Sequence, residues 1–255
     1  MLRQFIKRGM KELNFGGSVE TVYERSDYPA KKLAQILGND TLTILGYGTQ
    51  GRGQALNMRD NLKKVVAAGG KTKVLLGLRK GASWELALKD GWTPNKDLFQ
   101  VDEACEKSTV IMNLLSDAGQ KTSWPSISKH LTSGKKTLYF SHGFSVVYKD
   151  QTKVIPPKNV DVILVAPKGS GTTLRSLFLE GRGINASVAV FQDVSGKALE
   201  RALAIGTTVG AGYMYETTFE KEVYSDLTGE RGVLMVISFL FRALFTVYSK
   251  HNMRY

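Results

Sequence analysis

A doubly wound α/β fold around a parallel sheet is predicted for this 255-residue chain by three features of its sequence. A short β-branched run, Thr41-Leu42-Thr43-Ile44-Leu45, meets the turn Gly46-Tyr47-Gly48-Thr49-Gln50-Gly51, and a helical run from Gln54 to Arg59 follows at once. Further β-like runs recur along the chain with helical stretches between them, and they are apolar throughout instead of alternating. Continuous apolar strands fit a parallel sheet covered by helices on both faces. With 42% hydrophobic residues, the chain is also long enough for one sizeable core and a second small unit.

The elements can be justified in order. The start, Met1-Leu2-Arg3-Gln4-Phe5-Ile6-Lys7-Arg8-Gly9-Met10-Lys11, has four cations before the first acid, Glu12. Such a basic, acid-poor stretch reads either as the remnant of a mitochondrial presequence or as a solvated basic end. The turn after Thr41–Leu45 is a G-x-G-x-x-G fingerprint in its strand–turn–helix setting. Gly46 permits the tight turn, Gly48 lets the backbone approach a pyrophosphate, and Gly51 lets helix and strand pack closely. The free N–H groups of the helix end then face the phosphates.

The next strand run, Lys73-Val74-Leu75-Leu76-Gly77-Leu78, ends in Arg79-Lys80-Gly81-Ala82-Ser83. A carboxylate here would bind a ribose 2′-hydroxyl; cations and a hydroxyl suit a 2′-phosphate, so the expected dinucleotide is NADPH. The bland alternative is a solvated basic turn. Strand runs follow at Thr109–Leu115, Lys136–Ser141, Val160–Val165 and Ser187–Phe191, and a helix at Ala198–Thr208. The expected division is therefore a basic segment at 1–17, a Rossmann-like dinucleotide-binding domain at 18–215, and the start of a helical unit at 216–255. In that last part Phe219 to Gly229 reads as an acidic helical turn and Val233 to Lys250 as one long apolar helix. Its apolar run, Val233 to Tyr248, is interrupted by Arg242 and falls short of the roughly 20 residues of a membrane span. A helix apolar on nearly all sides belongs inside a bundle.

Three places carry candidate chemistry. Asp226 and Glu230 are four apart, on one face of a helix. They either hold a hard cation such as Mg2+ between them or form a solvated acidic turn. His142 follows a strand end, where ligands bind in such sheets; it either orients a substrate and relays a proton or is an ordinary core or surface histidine. Lys168, in Ala166-Pro167-Lys168-Gly169-Ser170-Gly171, sits at another strand end. It either neutralises a substrate carboxylate or oxyanion or is one solvated lysine in a glycine-rich loop. The single cysteine, Cys105, makes no internal disulfide and reads as a reduced core residue. The net charge of +12 suits anionic ligands.

Together these segments resemble ketol-acid reductoisomerase, also called acetohydroxyacid isomeroreductase, in its fungal mitochondrial form. The resemblance rests on the fingerprint and on Leu13-Asn14-Phe15-Gly16-Gly17, Asn113-Leu114-Leu115-Ser116-Asp117, Tyr139-Phe140-Ser141-His142-Gly143-Phe144, Val165 to Gly171, Glu180-Gly181-Arg182-Gly183-Ile184-Asn185 and Ser225-Asp226-Leu227-Thr228-Gly229-Glu230. It implies a magnesium-assisted alkyl shift in a 2-acetohydroxy acid, then reduction by NADPH to a 2,3-dihydroxy acid, in valine, leucine and isoleucine synthesis. It also implies that Asp226 and Glu230 are metal ligands, that Arg79, Lys80 and Ser83 grip the 2′-phosphate, and that His142 and Lys168 belong to the active site.

The family continues into a large knotted helical domain that supplies further carboxylates and a serine and builds a homodimer. The expectation is that this chain holds only the first helix or so of that domain and has little activity alone. Three departures from the family pattern stand out. The link from Leu62 to Lys73 is longer by roughly ten residues, which bears on where Arg79 is placed, and the loop after Arg79 is one residue short. Thr172 stands where an arginine is expected, and Val146 where a proline is. Two other readings compete: a catalytically silent nucleotide-binding remnant, and a basic nucleic-acid-associated protein drawing on Arg59, Lys63, Lys64, Lys71 and Lys73. No DNA- or RNA-binding motif accompanies those cations.

Overall fold

The chain enters through an antiparallel hairpin, β1 (Lys11–Phe15) and β2 (Ser18–Glu24), in a computed structural model that describes residues 11–132 and 136–250. Residues 1–10, which carry most of the basic start, lie outside the described residues. A short helix, α1 (Ala30–Leu37), buries Leu33 and Leu37 and leads into β3 (Thr41–Leu45). The fingerprint turn then opens α2 (Thr49–Ala67).

Alternation of strand and helix continues through β4 (Lys73–Gly77), α3 (Ala82–Lys89), β5 (Leu98–Phe99), α4 (Val101–Lys107), β6 (Val110–Asn113) and α5 (Asp117–Lys129). After β7 (Thr137–Phe140) come two single-turn helices, α6 (Phe144–Val147) and α7 (Lys149–Thr152). The remainder is β8 (Asp161–Pro167), α8 (Gly171–Leu179), β9 (Ile184–Gln192), α9 (Ala198–Val209), β10 (Ala211–Glu216) and α10 (Phe219–Leu227). A π-helical stretch, Thr228–Leu234, then runs straight into α11 (Met235–Lys250).

All ten described strands join one sheet in the order β1-β2-β10-β9-β8-β7-β6-β3-β4-β5. From β8 to β5 the neighbours are all parallel. Strand order reverses at the β3/β6 pair, the kind of switch point at which open α/β sheets bind ligands. Consecutive strand residues feed opposite cores, as a sheet covered on both faces requires. Ile44, Met112, Tyr139 and Ile163 pack on the α2 and α9 side with Met58, Leu203 and Val209. Leu45, Ile111, Leu138, Phe140 and Leu164 pack on the other side with Trp124, Ile127 and Phe219.

The expected parallel sheet holds from β8 to β5. The run Ser187–Phe191, expected as a later strand with no direction assigned, lies within β9, which runs antiparallel to β8 with Pro167 opposite Ala186. The cause is the path of α8. It does not run back down the sheet but docks against α2, so the chain re-enters at the end it left. β10 then pairs parallel to β9, and β2 closes that side antiparallel. The long link after α2 does not displace β4. Residues 62–67 extend α2, and Lys73 pairs with Thr41 in a register that runs unbroken to Gly77 opposite Leu45.

Among the described residues no helix is long and apolar enough to cross a membrane. The stretch from Val233 to Leu244 lies on the surface, with Phe239 77% and Phe241 68% exposed.

Candidate active site

The fingerprint builds a cradle at the crest of β3. Gly46 takes φ +93°, and a Cβ there would stand 2.8 Å from the Leu114 carbonyl oxygen at the end of β6. A Cβ on Gly51 would run into the carbonyl of Gly46, so turn and helix close only around glycine. Gly48 is the residue that precedes α2, and nothing lies within 4 Å of where its Cβ would be. The turn is therefore packed from behind and open in front, with the first N–H groups of a 19-residue helix facing the opening. Thr49 is exposed there, and Gln50 Nε2 donates to the Gly169 carbonyl oxygen at 2.7 Å. Tyr47 differs from its neighbours: its ring is buried and its hydroxyl donates to Asp90.

Arg79 and Lys80 lie just past β4, and Ser83 lies in the first turn of α3; all three are exposed. Because β4 pairs directly with β3, this loop borders the cradle. Of the five cations considered for nucleic acid, Arg59 donates to the Asp90 carbonyl and Lys63 pairs with Asp60.

The second half of the site is assembled from β7, β8 and α10. His142 follows β7, and Lys168 follows β8, both at carboxyl ends of the sheet. The loop carrying Lys168 is held on the fingerprint helix by the Gln50 bond and by the close approach of α8 to α2. Beneath His142, Gln54 donates to Ser141 Oγ at 2.8 Å and accepts from the Tyr139 hydroxyl at 2.9 Å. The fingerprint helix and the β7 end are thus fixed to each other by one buried and one part-buried hydrogen bond, and bonds in a low-dielectric interior hold geometry firmly.

Glu222, on the inner face of α10, is the buried centre of this group. Its carboxylate accepts from the Gly143 N–H at 2.8 Å, meets His142 Nδ1 at 3.2 Å and lies 3.7 Å from Lys168 Nζ. Gly143 allows the approach, since a Cβ there would stand 2.7 Å from the Phe219 carbonyl oxygen. Asp226, one turn further along α10, reaches 3.5 Å from His142 Nδ1. Ligand atoms of His142, Glu222 and Asp226 lie within 4.8 Å of one another, the one such trio among the described residues.

Burial pushes the Glu222 carboxyl up, but His142 and the Gly143 N–H outweigh it and hold it below the ordinary carboxylate value. Burial alone lowers His142, yet Glu222, then Asp226 and Asp117, raise it above the ordinary histidine value. The chemistry available is an imidazole oriented by carboxylates and a lysine beside one of them.

Glu230 stands apart from that trio. It lies in the π-helical stretch and is exposed, although the helix continuing from α10 keeps the four-residue spacing Glu222, Asp226, Glu230. π-helical turns recur at functional sites. Sequence reasoning singled out Asp226 and Glu230 but missed Glu222; the same spacing, carried one step back, is the signal that marks it. Thr172 bonds Ser170 within the first turn of α8, and Val146 is buried in α6.

Residues 36–214 match the family model described as "Acetohydroxy acid isomeroreductase, NADPH-binding domain". The chain is 61% identical over 229 residues to the mitochondrial ketol-acid reductoisomerase of Neurospora crassa, covering 89% of this chain and 54% of that protein. It is 52% identical over 245 residues to the ketol-acid reductoisomerase (NAD(+)) of Desulfosudis oleivorans, covering 95% of this chain and 67% of that one. Among solved structures it is similar to an NADH-preferring ketol-acid reductoisomerase from an uncultured archean. There the TM-score is 0.78 at 34% identity, over 91% of this chain and 67% of the other. The chain spans about half the length of the Neurospora protein.

Proposed function

The chain belongs to the acetohydroxy acid isomeroreductase, or ketol-acid reductoisomerase, family, and from that membership we propose that it serves the NADPH- and Mg2+-dependent conversion of 2-acetohydroxy acids to 2,3-dihydroxy acids. The setting is branched-chain amino acid synthesis in the mitochondrion, the compartment in the name of the Neurospora relative. The observation that carries the reading is the meeting of His142, Lys168, Glu222 and Asp226 beside an open dinucleotide cradle.

The residues fit the groups that the family implies. Nothing lies within 4 Å of the Gly48 Cβ position, which supports a pyrophosphate approaching the turn there, and the exposed Arg79, Lys80 and Ser83 offer two cations and a hydroxyl for a 2′-phosphate. No carboxylate interrupts residues 77–83, which favours NADPH over NADH although two of the relatives take the other cofactor. Asp226 and Glu230 offer oxygen donors four residues apart, the hard ligands that Mg2+ takes, with room for water. When bound, the cation polarises substrate oxygens as a Lewis acid and the nicotinamide supplies hydride.

This chain's own residues do the rest. Glu222 orients His142 and holds its proton on the Nδ1 side, so that Nε2 is the atom free to face substrate. Lys168 is placed to meet a substrate carboxylate or a developing oxyanion. The exposed apolar stretch Val233–Leu244 supports burial against further protein, in keeping with a homodimer.

The test is acetolactate-dependent NADPH oxidation with and without Mg2+. It is run on the 255-residue chain and on a chimera in which this chain replaces the matching segment of the Neurospora protein. The chimera is expected to turn over at about 1 per second or more with Mg2+, and to lose at least about a hundredfold on Asp226→Asn. The chain alone is expected to be slower by a similar factor, since misplacing reacting groups by about 1 Å costs that much. A folded chimera with no Mg2+-dependent turnover would overturn the reading.

A further inference from the structure

We propose that Asp90 is a positioning residue: it ties the loop that grips the 2′-phosphate to the turn that holds the pyrophosphate, and so sets the preference for NADPH over NADH. The inference rests on the cofactor reading above and deepens it.

Asp90 is the residue that ends α3. Its carboxylate takes a bidentate fork from Arg52, Nε at 2.7 Å and Nη2 at 2.8 Å, and a third hydrogen bond from the Tyr47 hydroxyl at 2.8 Å. Its backbone carbonyl accepts from Arg59 Nη1 at 2.8 Å. Tyr47 lies inside the fingerprint turn, and Arg52 and Arg59 lie on the helix that the turn opens. Trp92, two residues past Asp90, donates Nε1 to the Tyr47 hydroxyl at 2.8 Å and lies under the Arg59 guanidinium, 4.8 Å from it. Tyr47 and Trp92 are both buried.

One end of α3 is therefore bolted to the fingerprint by charge-assisted bonds, the strongest kind available. The other end carries Ser83 and follows Arg79 and Lys80. An eight-residue helix is a rigid spacer of about 12 Å, so fixing its far end fixes where its first turn stands relative to the cradle. Gly81 takes φ +143° at the start of α3. The loop has few contacts of its own to locate it, since Arg79, Lys80, Gly81, Ala82 and Ser83 are all exposed. A dinucleotide with a 2′-phosphate must satisfy both ends at once. One with a 2′-hydroxyl needs mainly the cradle.

The experiment measures dissociation constants of NADPH and NADH, by titration, for the parent chain, Asp90→Asn and Tyr47→Phe. Tyr47→Phe keeps the buried ring and guards against loss of fold in the other variant, and circular dichroism confirms the fold of each. The expected result is a fall of about tenfold in the NADPH-to-NADH preference for Asp90→Asn, a smaller fall in the same direction for Tyr47→Phe, and little change for NADH. In an Arg79→Asp background the preference should already be lost, and Asp90→Asn should change it no further. A purely structural role would weaken both cofactors by one factor and leave their ratio alone. That outcome, with a parent that prefers NADPH, overturns this inference and spares the cofactor reading. A parent without that preference overturns both.

Discussion

Gly53 of α2 and Gly171 of α8 meet backbone to backbone: a Cβ on Gly53 would stand 2.5 Å from the Gly171 carbonyl oxygen. Gly171 is closed in by the same helix, since a Cβ there would fall inside the Thr49 carbonyl. This contact docks the loop carrying Lys168 on the fingerprint helix. It also turns the chain so that β9 re-enters antiparallel to β8.

Gly53→Ala should therefore destabilise the fold even though alanine is the better helix former. The propensity gain is at most about 1 kcal/mol. Overpacking against backbone, which cannot swing aside, costs about 1–3 kcal/mol. A melting temperature lowered by a few degrees is expected for a chain of this size. An unchanged or raised value would mean that α8 is not seated there.

Gly48→Ala should behave in the opposite way. Nothing lies within 4 Å of that Cβ position, and φ is −71°, which alanine accepts. The methyl would instead occupy the space needed by a pyrophosphate. Thermal stability close to the parent's, with NADPH affinity down at least about tenfold, is the expected pair of results. Tight binding in the folded variant would show that the cofactor does not cross the turn there.

How much of this was legible in the sequence depends on the range of the interaction. The strand runs and the helix at Ala198–Thr208 are local patterns; β3, β4, β6, β7, β8 and α9 lie within a residue or two of where they were expected, while α2 starts five residues before the Gln54–Arg59 run and ends eight after it. The direction of β9 was not legible, because it depends on where α8 docks, not on the residues of β9. Glu222 carried a local clue, the four-residue spacing with Asp226. Its burial against Gly143 and Lys168 depends on α10 folding over the crest. The Arg52–Asp90 pair joins residues 38 apart in helices whose packing no local pattern encodes.

Glu222→Ala should cost more stability than Glu222→Gln. Alanine leaves the buried Gly143 N–H without its acceptor, a penalty of about 1–3 kcal/mol. Glutamine keeps an oxygen for that N–H and loses only the charge facing His142 and Lys168. Urea unfolding of both variants measures the difference. Equal losses would place the weight on charge rather than on the hydrogen bond.

Cys105 should resist thiol reagents in the folded chain. It is fully buried in α4, among Leu45, Ile111 and Trp124. Burial pushes its thiol up to about 12, against the weaker pull of Lys136. Attack requires the thiolate and access to it, and both are withheld here. Labelling by an aromatic disulfide should then follow the opening of the fold, rising with denaturant as unfolding does. Rapid labelling in native buffer would show that the α4 side of the core opens locally.

The Arg52–Asp90 pair should stabilise the fold above mildly acidic pH and cease to do so below it. Arg52, then the Tyr47 hydroxyl, hold the Asp90 carboxyl below its ordinary value, against the opposing effect of burial. A carboxyl whose value is lower in the folded state than in the unfolded one contributes stability that is fully present above the unfolded value, about 3.9. That contribution is lost as pH falls through the folded value. Arg52 is 43% exposed, so solvent screens the pair and the contribution is modest. The clean measurement is the difference in unfolding free energy between the parent and Asp90→Asn across a pH series, since the other titrating groups are common to both proteins and cancel. The difference should be level from about pH 7 to 5 and shrink below about pH 4. A difference that stays constant down to pH 2.5 would mean that Asp90 acts through shape and neutral hydrogen bonds, with its charge playing no part.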